Sequence, residues 1–110
     1  MRTRLKANVL TLASIMMAGA GASWAAEQVV EIRDYKFQPQ TVRIKPGDSV
    51  RWINREKRTS HSVLFKGGAV AESERLFPDE SWVRRFEAAG SYPYNCGPHP
   101  EMSGQIEVSE

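Results

Sequence analysis

The sequence predicts an all-β domain, an antiparallel sandwich or barrel of about seven short strands. Three observations lead there. Beyond an apolar N-terminal stretch, no run repeats apolar residues at helical spacing for long enough to bury a face. Apolar residues instead alternate with charged ones in short runs, and Gly, Pro, Asp and Asn separate those runs. No strand–helix–strand unit is visible, which removes the parallel α/β folds.

The elements follow in order. Val30 and Ile32 alternate with Val29, Glu31 and Arg33, and Val42 and Ile44 alternate with Arg43 and Lys45, so each segment predicts a strand with one wet face. Pro46-Gly47-Asp48 places Pro and Gly where a type II turn wants them. Val50, Trp52 and Asn54 share one side of the strand that follows, and the pattern predicts a hairpin about this turn. Residues 62–65 form a short apolar strand just after His61, ended by Lys66-Gly67-Gly68. The stretch 69–74 suits either a turn or a single helical turn. Pro78-Asp79-Glu80 predicts a turn between a short strand at 75–77 and a firmer one at 82–86. In the latter, Arg84 shares a side with Trp82 and Phe86, which points to an edge strand or a bulge. Tyr92, Tyr94 and Cys96 then fall on one side at period two, Pro93 again marking an edge or bulge, and Ile106 and Val108 alternate around Glu107 in a last strand.

The N-terminal stretch is of another kind. Arg2, Arg4 and Lys6 occur with no acid, the apolar run 9–22 follows, and Ser23-Trp24-Ala25 places small residues at the −3 and −1 positions. This predicts a secretory signal peptide at residues 1–25, cut after Ala25, and hence an exported, periplasmic protein. The apolar run has 14 residues, short of the roughly 20 a spanning helix needs, so stable membrane insertion is not expected. Thr3 separates Arg2 from Arg4, so no adjacent arginine pair marks the twin-arginine route. Residues 26–110 are enough for one small domain. Cleavage removes three of the 15 basic residues and none of the 13 acidic ones, turning a net charge of +2 into −1. A near-neutral domain argues against nucleic acid or a membrane surface as partner.

Residues 26–110 retain one Cys, two His and one Met. Three of the four lie in Cys96-Gly97-Pro98-His99-Pro100-Glu101-Met102, and the fourth, His61, is 35 positions before Cys96. A lone Cys cannot form an internal disulfide, and a free thiol in an oxidising compartment invites damage that burial under a metal would prevent. Thiolate, two imidazoles and a thioether suit one copper ion cycling between Cu(I) and Cu(II), with Met as a weak axial ligand. Structural zinc favours four strong ligands, and Met is a poor one. Taken singly, His61 would read as a loop or core histidine and Met102 as core packing; it is the joint pattern that points to a metal. Closing the long step from His61 to Cys96 costs about 2 kcal/mol more than closing a three-residue step, a demand that strand pairing can offset. Pro98 and Pro100 stiffen the loop around His99. Arg55, Lys57 and Arg58, like the Arg84-Arg85 pair, read as solvated faces rather than a docking patch, and Trp52 and Trp82 as core rather than electron relays.

Several segments together resemble the cupredoxins, the type 1 blue-copper proteins: Phe37-Gln38-Pro39, the run from Val42 through Asn54, Ser60-His61-Ser62-Val63, and Gly90 through Met102. The seven-residue ligand loop is most similar to that of the amicyanins, with longer loops in pseudoazurins and plastocyanins. The resemblance spans essentially the whole mature domain. It implies a Greek-key sandwich with His61, Cys96 and His99 as near-planar copper ligands and Met102 axial. It also implies that Asn54 ties the His61 and Cys96 segments together, and that the Ser62 amide donates to the Cys96 sulfur. The expected function is that of a monomeric carrier, not an enzyme, shuttling single electrons between redox proteins such as a c-type cytochrome or a dehydrogenase. The alternative is a periplasmic copper-binding or delivery protein, although such proteins often carry Met- or His-rich tracts and Met102 stands alone here. A copper enzyme would need an open coordination position or a second metal site, for which no His or Cys is left. Two positions depart from the family pattern: Glu101 stands where amicyanin-like loops tend to have a bulky apolar residue, and Ser60 stands where many relatives have Pro before the first His.

Overall fold

A computed structural model describes residues 25–68 and 70–110. The predicted signal peptide lies, apart from Ala25, outside the described residues. Eight strands are present: β1 (Glu27–Arg33), β2 (Lys36–Gln38), β3 (Thr41–Ile44), β4 (Ser49–Asn54), β5 (Leu64–Phe65), β6 (Ser81–Arg85), β7 (Gly90–Asn95) and β8 (Ser103–Val108). They form two four-stranded sheets, ordered β2-β1-β4-β6 and β3-β8-β7-β5. The only helical geometry among the described residues is one 3-10 turn, Lys66–Gly68.

The alternation read from the sequence is the alternation of burial. Val30, Ile32, Val42, Ile44, Val50 and Trp52 all point into the core, each with 5% exposure or less, while their neighbours along the strand are more exposed. Trp52 of the first sheet meets Phe65 and Tyr94 of the second edge-on or tilted, at ring-centroid distances of 6.1 and 5.5 Å, and Phe37 meets Tyr94 at 4.7 Å. These contacts bind the two layers, since large aromatic surfaces bury the most apolar area per residue. Gly104 on β8 lies under the Tyr94 ring, where an added Cβ would come within 2.4 Å of the ring carbon Cζ. Glycine is required there by close approach.

Three expectations are corrected. The sheets are mixed rather than antiparallel, because β1 pairs with β4 and β3 with β8 in parallel. The turn at Pro46-Gly47-Asp48 exists, with Gly47 at φ +98° and Asp48 N donating to Lys45 O at 3.0 Å, but no hairpin surrounds it. It carries the chain from one sheet to the other, so β3 and β4 lie in different sheets instead of pairing side by side. The strand expected at 75–77 shrinks to a single bridge between Leu76 and His61. β6 is an edge strand, as Arg84 suggested. Pro93 sits in β7 beyond the reach of two-residue β5, so its missing N–H breaks no ladder on that side.

β1, β4 and β7 all end at the same pole of the sandwich. Parallel pairing brings Arg33 of β1 alongside the end of β4, and the segments that follow these strands, 34–35, 55–61 and 96–102, meet there.

Candidate metal centre

Cys96 follows β7 directly and is fully buried. The loop after it closes on itself: Cys96 N donates to Met102 O at 3.0 Å, Met102 N donates to His99 O at 2.9 Å, and Asn95 Nδ2 donates to Pro100 O at 2.9 Å. Pro98 and Pro100 bring no N–H that would need a partner in so tight a loop. Cys96, His99 and Met102 are thereby gathered within one turn, with Met102 3% exposed and His99 half-buried.

His61 lies in the connection between β4 and β5 and is held by a strap. Its N donates to Leu76 O at 3.0 Å and its O accepts from Leu76 N at 2.7 Å. Two residues on, Val63 N donates to Ser73 Oγ and Val63 O accepts from Ser73 N, both at 2.9 Å. Ser73, within the stretch that was ambiguous in sequence, thus belongs to a strap that fixes His61. Asn54, with no exposed surface, organises the loop before it: Nδ2 donates to Thr59 O and Leu76 O at 2.8 and 2.9 Å, and Oδ1 accepts from Glu56 N at 2.8 Å. This corrects the role expected for Asn54, whose side chain binds the 55–60 loop to the strap and makes no hydrogen bond to the Cys96 segment. That link comes instead from Gly97 N, which donates to Ser62 Oγ at 3.0 Å.

The donor atoms converge. Cys96 Sγ lies 3.5 Å from His61 Nδ1 and 3.6 Å from His99 Nδ1, and the two nitrogens are 3.2 Å apart. A point equidistant from three atoms so spaced lies about 2 Å from each, a first-row metal–nitrogen bond length and slightly short for metal–sulfur. Burial pushes the Cys96 thiol up, opposed by the backbone N–H groups of Ser62 and His99 and by the Arg75 charge, while Glu101 raises it. The Ser62 amide thus acts on the Cys96 sulfur in the direction that the family resemblance implied. Burial likewise lowers the His61 pKa, against the pull of Glu56.

Two contributors were not read from the sequence. Glu56 Oε2 lies 3.2 Å from His61 Nε2, and its side chain is 13% exposed. A proton held on Nε2 by that carboxylate leaves the Nδ1 lone pair free toward the other donors. Tyr35 stands edge-on to both imidazoles, with centroids 5.4 Å from His61 and 5.0 Å from His99, and is tied down by Tyr35 N to Glu56 Oε2 at 2.8 Å and by its hydroxyl to Thr59 Oγ1 at 3.0 Å. Glu56 offered only its place five residues before His61. Tyr35 offered no signal, since its position depends on a left-handed turn, φ +56°, after β1.

Residues 25–109 match the profile of the copper binding proteins of the plastocyanin/azurin family. The chain belongs to this family. It is 37% identical over 84 residues to amicyanin of Paracoccus denitrificans, covering 73% of this chain and 63% of that protein. It is 36% identical over 118 residues to amicyanin-alpha of Methylorubrum extorquens, covering 96% and 98%. The match therefore spans less than two thirds of the Paracoccus protein and nearly all of the Methylorubrum one. Among solved structures, amicyanin from Paracoccus versutus superposes with a TM-score of 0.70 at 37% identity, covering 83% of this chain and 88% of that one. A reduced Cu(I) form of an amicyanin mutant at pH 4 gives 0.71 at 33% identity, covering 83% and 89%. Copper is the metal of the plastocyanin/azurin family, and the donors gathered here suit it: a thiolate and a thioether accommodate Cu(I), and imidazoles accommodate Cu(II).

Proposed function

We propose that this chain is an exported type 1 copper protein that carries single electrons between redox proteins, with His61, Cys96, His99 and Met102 holding one copper ion. The observation behind this reading is the triangle of Cys96 Sγ, His61 Nδ1 and His99 Nδ1, with sides of 3.2 to 3.6 Å. Bound copper supplies the one-electron chemistry by alternating between Cu(I) and Cu(II). The protein supplies the rest. The strap at Leu76 and Ser73 and the closed 96–102 loop hold the donors at one spacing, so little has to move when charge changes. The Ser62 and His99 amides stabilise negative charge on the Cys96 sulfur. Glu56 keeps His61 in the tautomer that offers Nδ1. Buried Met102 would supply the weak fourth donor.

His99 is the half-buried member of the set, and exposed Pro98, Pro100 and Glu101 surround it on its own loop. We infer that partners dock at this pole, a c-type cytochrome or a dehydrogenase being the expected classes, and that the protein acts as a monomer. Residues 1–25 serve as a cleaved signal that delivers residues 26–110 to the periplasm.

The visible spectrum after addition of Cu(II), beside a Cys96→Ser variant, tests the reading. An intense red-region thiolate-to-copper band that is absent in the variant is expected. A correctly folded protein without that band would overturn it.

A further inference from the structure

Glu72 lies in the strap, four residues before Leu76, and is exposed, yet its carboxylate is engaged. Ser62 Oγ donates to Glu72 Oε2 at 2.7 Å and accepts from Gly97 N at 3.0 Å. A hydroxyl has one proton to give, so the carboxylate decides which way it points, and the lone pairs are left for the Gly97 amide. The O–H···O⁻ bond is of the short, charge-assisted kind. Ser62 follows His61 and Gly97 follows Cys96, so this chain of bonds joins the residues next to two of the proposed ligands, although they come from segments 35 positions apart.

Gly97 is part of the same device. An added Cβ there would lie 2.3 Å from Glu72 Oε2 and 2.6 Å from Ser62 Oγ. The absence of a side chain at 97 makes room for the carboxylate, and the conformation of Gly97 itself, which lies outside the positive-φ set, gives no other reason for glycine. Glu72 is itself fixed by its neighbour, since Ser73 is bonded to both backbone groups of Val63.

We propose that Glu72 is a positioning residue of the metal centre, a carboxylate brace that acts through the Ser62 hydroxyl to lock the His61 and Cys96 segments at one spacing. The inference rests on the proposal that His61 and Cys96 are copper ligands. Glu72 touches neither of them; it sets where the Ser62 hydroxyl points, and through it the seat of Gly97. Glu72→Ala removes the acceptor, and Glu72→Gln keeps an oxygen that can accept.

The test has two readouts. In the metal-free protein, amide hydrogen exchange at Gly97 should quicken about tenfold in Glu72→Ala, stay near the wild-type rate in Glu72→Gln, and be unchanged at Val30 and Ile32 in both, which also shows that each variant is folded. In the copper-loaded protein, chelator competition should show an affinity about tenfold lower in Glu72→Ala, the low end of what partners of metal ligands cost, and largely restored in Glu72→Gln. Ser62→Ala, which removes the hydroxyl in place, should match Glu72→Ala. Wild-type Gly97 protection in Glu72→Ala, or an unchanged copper affinity, would overturn the brace. Failure of the copper reading would show separately, as a wild-type protein without the thiolate-to-copper band, while the metal-free exchange experiment still decides whether Glu72 holds Gly97.

Discussion

Glu56 is a clear case of a single side chain setting the chemistry of another. Its carboxylate accepts from Tyr35 N at 2.8 Å and faces His61 Nε2 at 3.2 Å, and the side chain is only 13% exposed. Buried His61 has no exposed surface, so its Nε2 proton has no solvent alternative to this acceptor. Removing the acceptor leaves a buried donor unpaired and frees the ring to adopt the other tautomer, which turns a proton instead of a lone pair toward Cys96. Glu56→Ala should therefore lower copper affinity by about tenfold or more, and Glu56→Gln should recover much of the loss through its side-chain oxygen. Competition with a chelator measures both, and equal affinities for wild type and Glu56→Ala would remove Glu56 from the centre. The proposed ligands stood out in sequence because their chemistry is rare: one Cys, two His and one Met in the predicted mature domain. Glu56 was not, because glutamate is common and the contact depends on a loop whose path is set by Asn54.

At the scale of elements, the turn at 46–48 shows what local pattern can and cannot specify. Asp48 accepts from Ala26 N at 2.9 Å and from Lys45 N at 3.0 Å, and these two backbone bonds hold its carboxyl below its ordinary value of 3.8. Ser49 N also donates to Ala26 O at 2.9 Å, so the turn clasps the start of β1 as well as closing on itself. A carboxyl with a depressed folded pKa contributes stability that is fully present above its unfolded value and is lost as pH falls through its folded value. The stability difference between wild type and Asp48→Asn should accordingly be constant from neutral pH down to about pH 5 and shrink below 3.8. Denaturant midpoints across that range measure it, and a difference that does not change with pH would assign the effect to geometry alone. On the proposed cleavage after Ala25, the Ala26 nitrogen is the new α-ammonium, and the same contact is an ion pair. The strands on either side were readable because Val42 and Ile44, then Val50 and Trp52, alternate at period two. Their pairing was not, because a turn between two half-buried strands looks the same whether the strands lie side by side or face each other across a core. β3 pairs with β8, and β4 with β1 and β6, and those contacts are long-range.

The whole molecule is a sandwich whose pole is held by bonds independent of any metal. The strap pairs with the His61 segment through Leu76 and Ser73, the loop after β7 closes through Met102, and Ser62 joins the two. The metal-free protein should therefore fold cooperatively, with His61, Cys96 and His99 already near one another. Copper then adds stability by binding the folded state over the unfolded one, which scatters donors 35 positions apart along the chain. At free copper about a thousandfold above the dissociation constant, the gain is about 4 kcal/mol, less whatever copper binds to unfolded Cys and His. For a domain of this size, each kcal/mol raises the melting temperature by about 4 to 8 °C, so loading should raise it by about 15 to 30 °C. Cys96→Ser keeps the core and the loop closure but removes the thiolate, and should lose most of that rise while changing the metal-free melting temperature little. Calorimetry of both proteins with and without copper separates the alternatives. A metal-free wild type that melts without a cooperative transition would mean that the pole depends on the metal for its order, and that the hydrogen bonds of the strap and loop are not enough to assemble it.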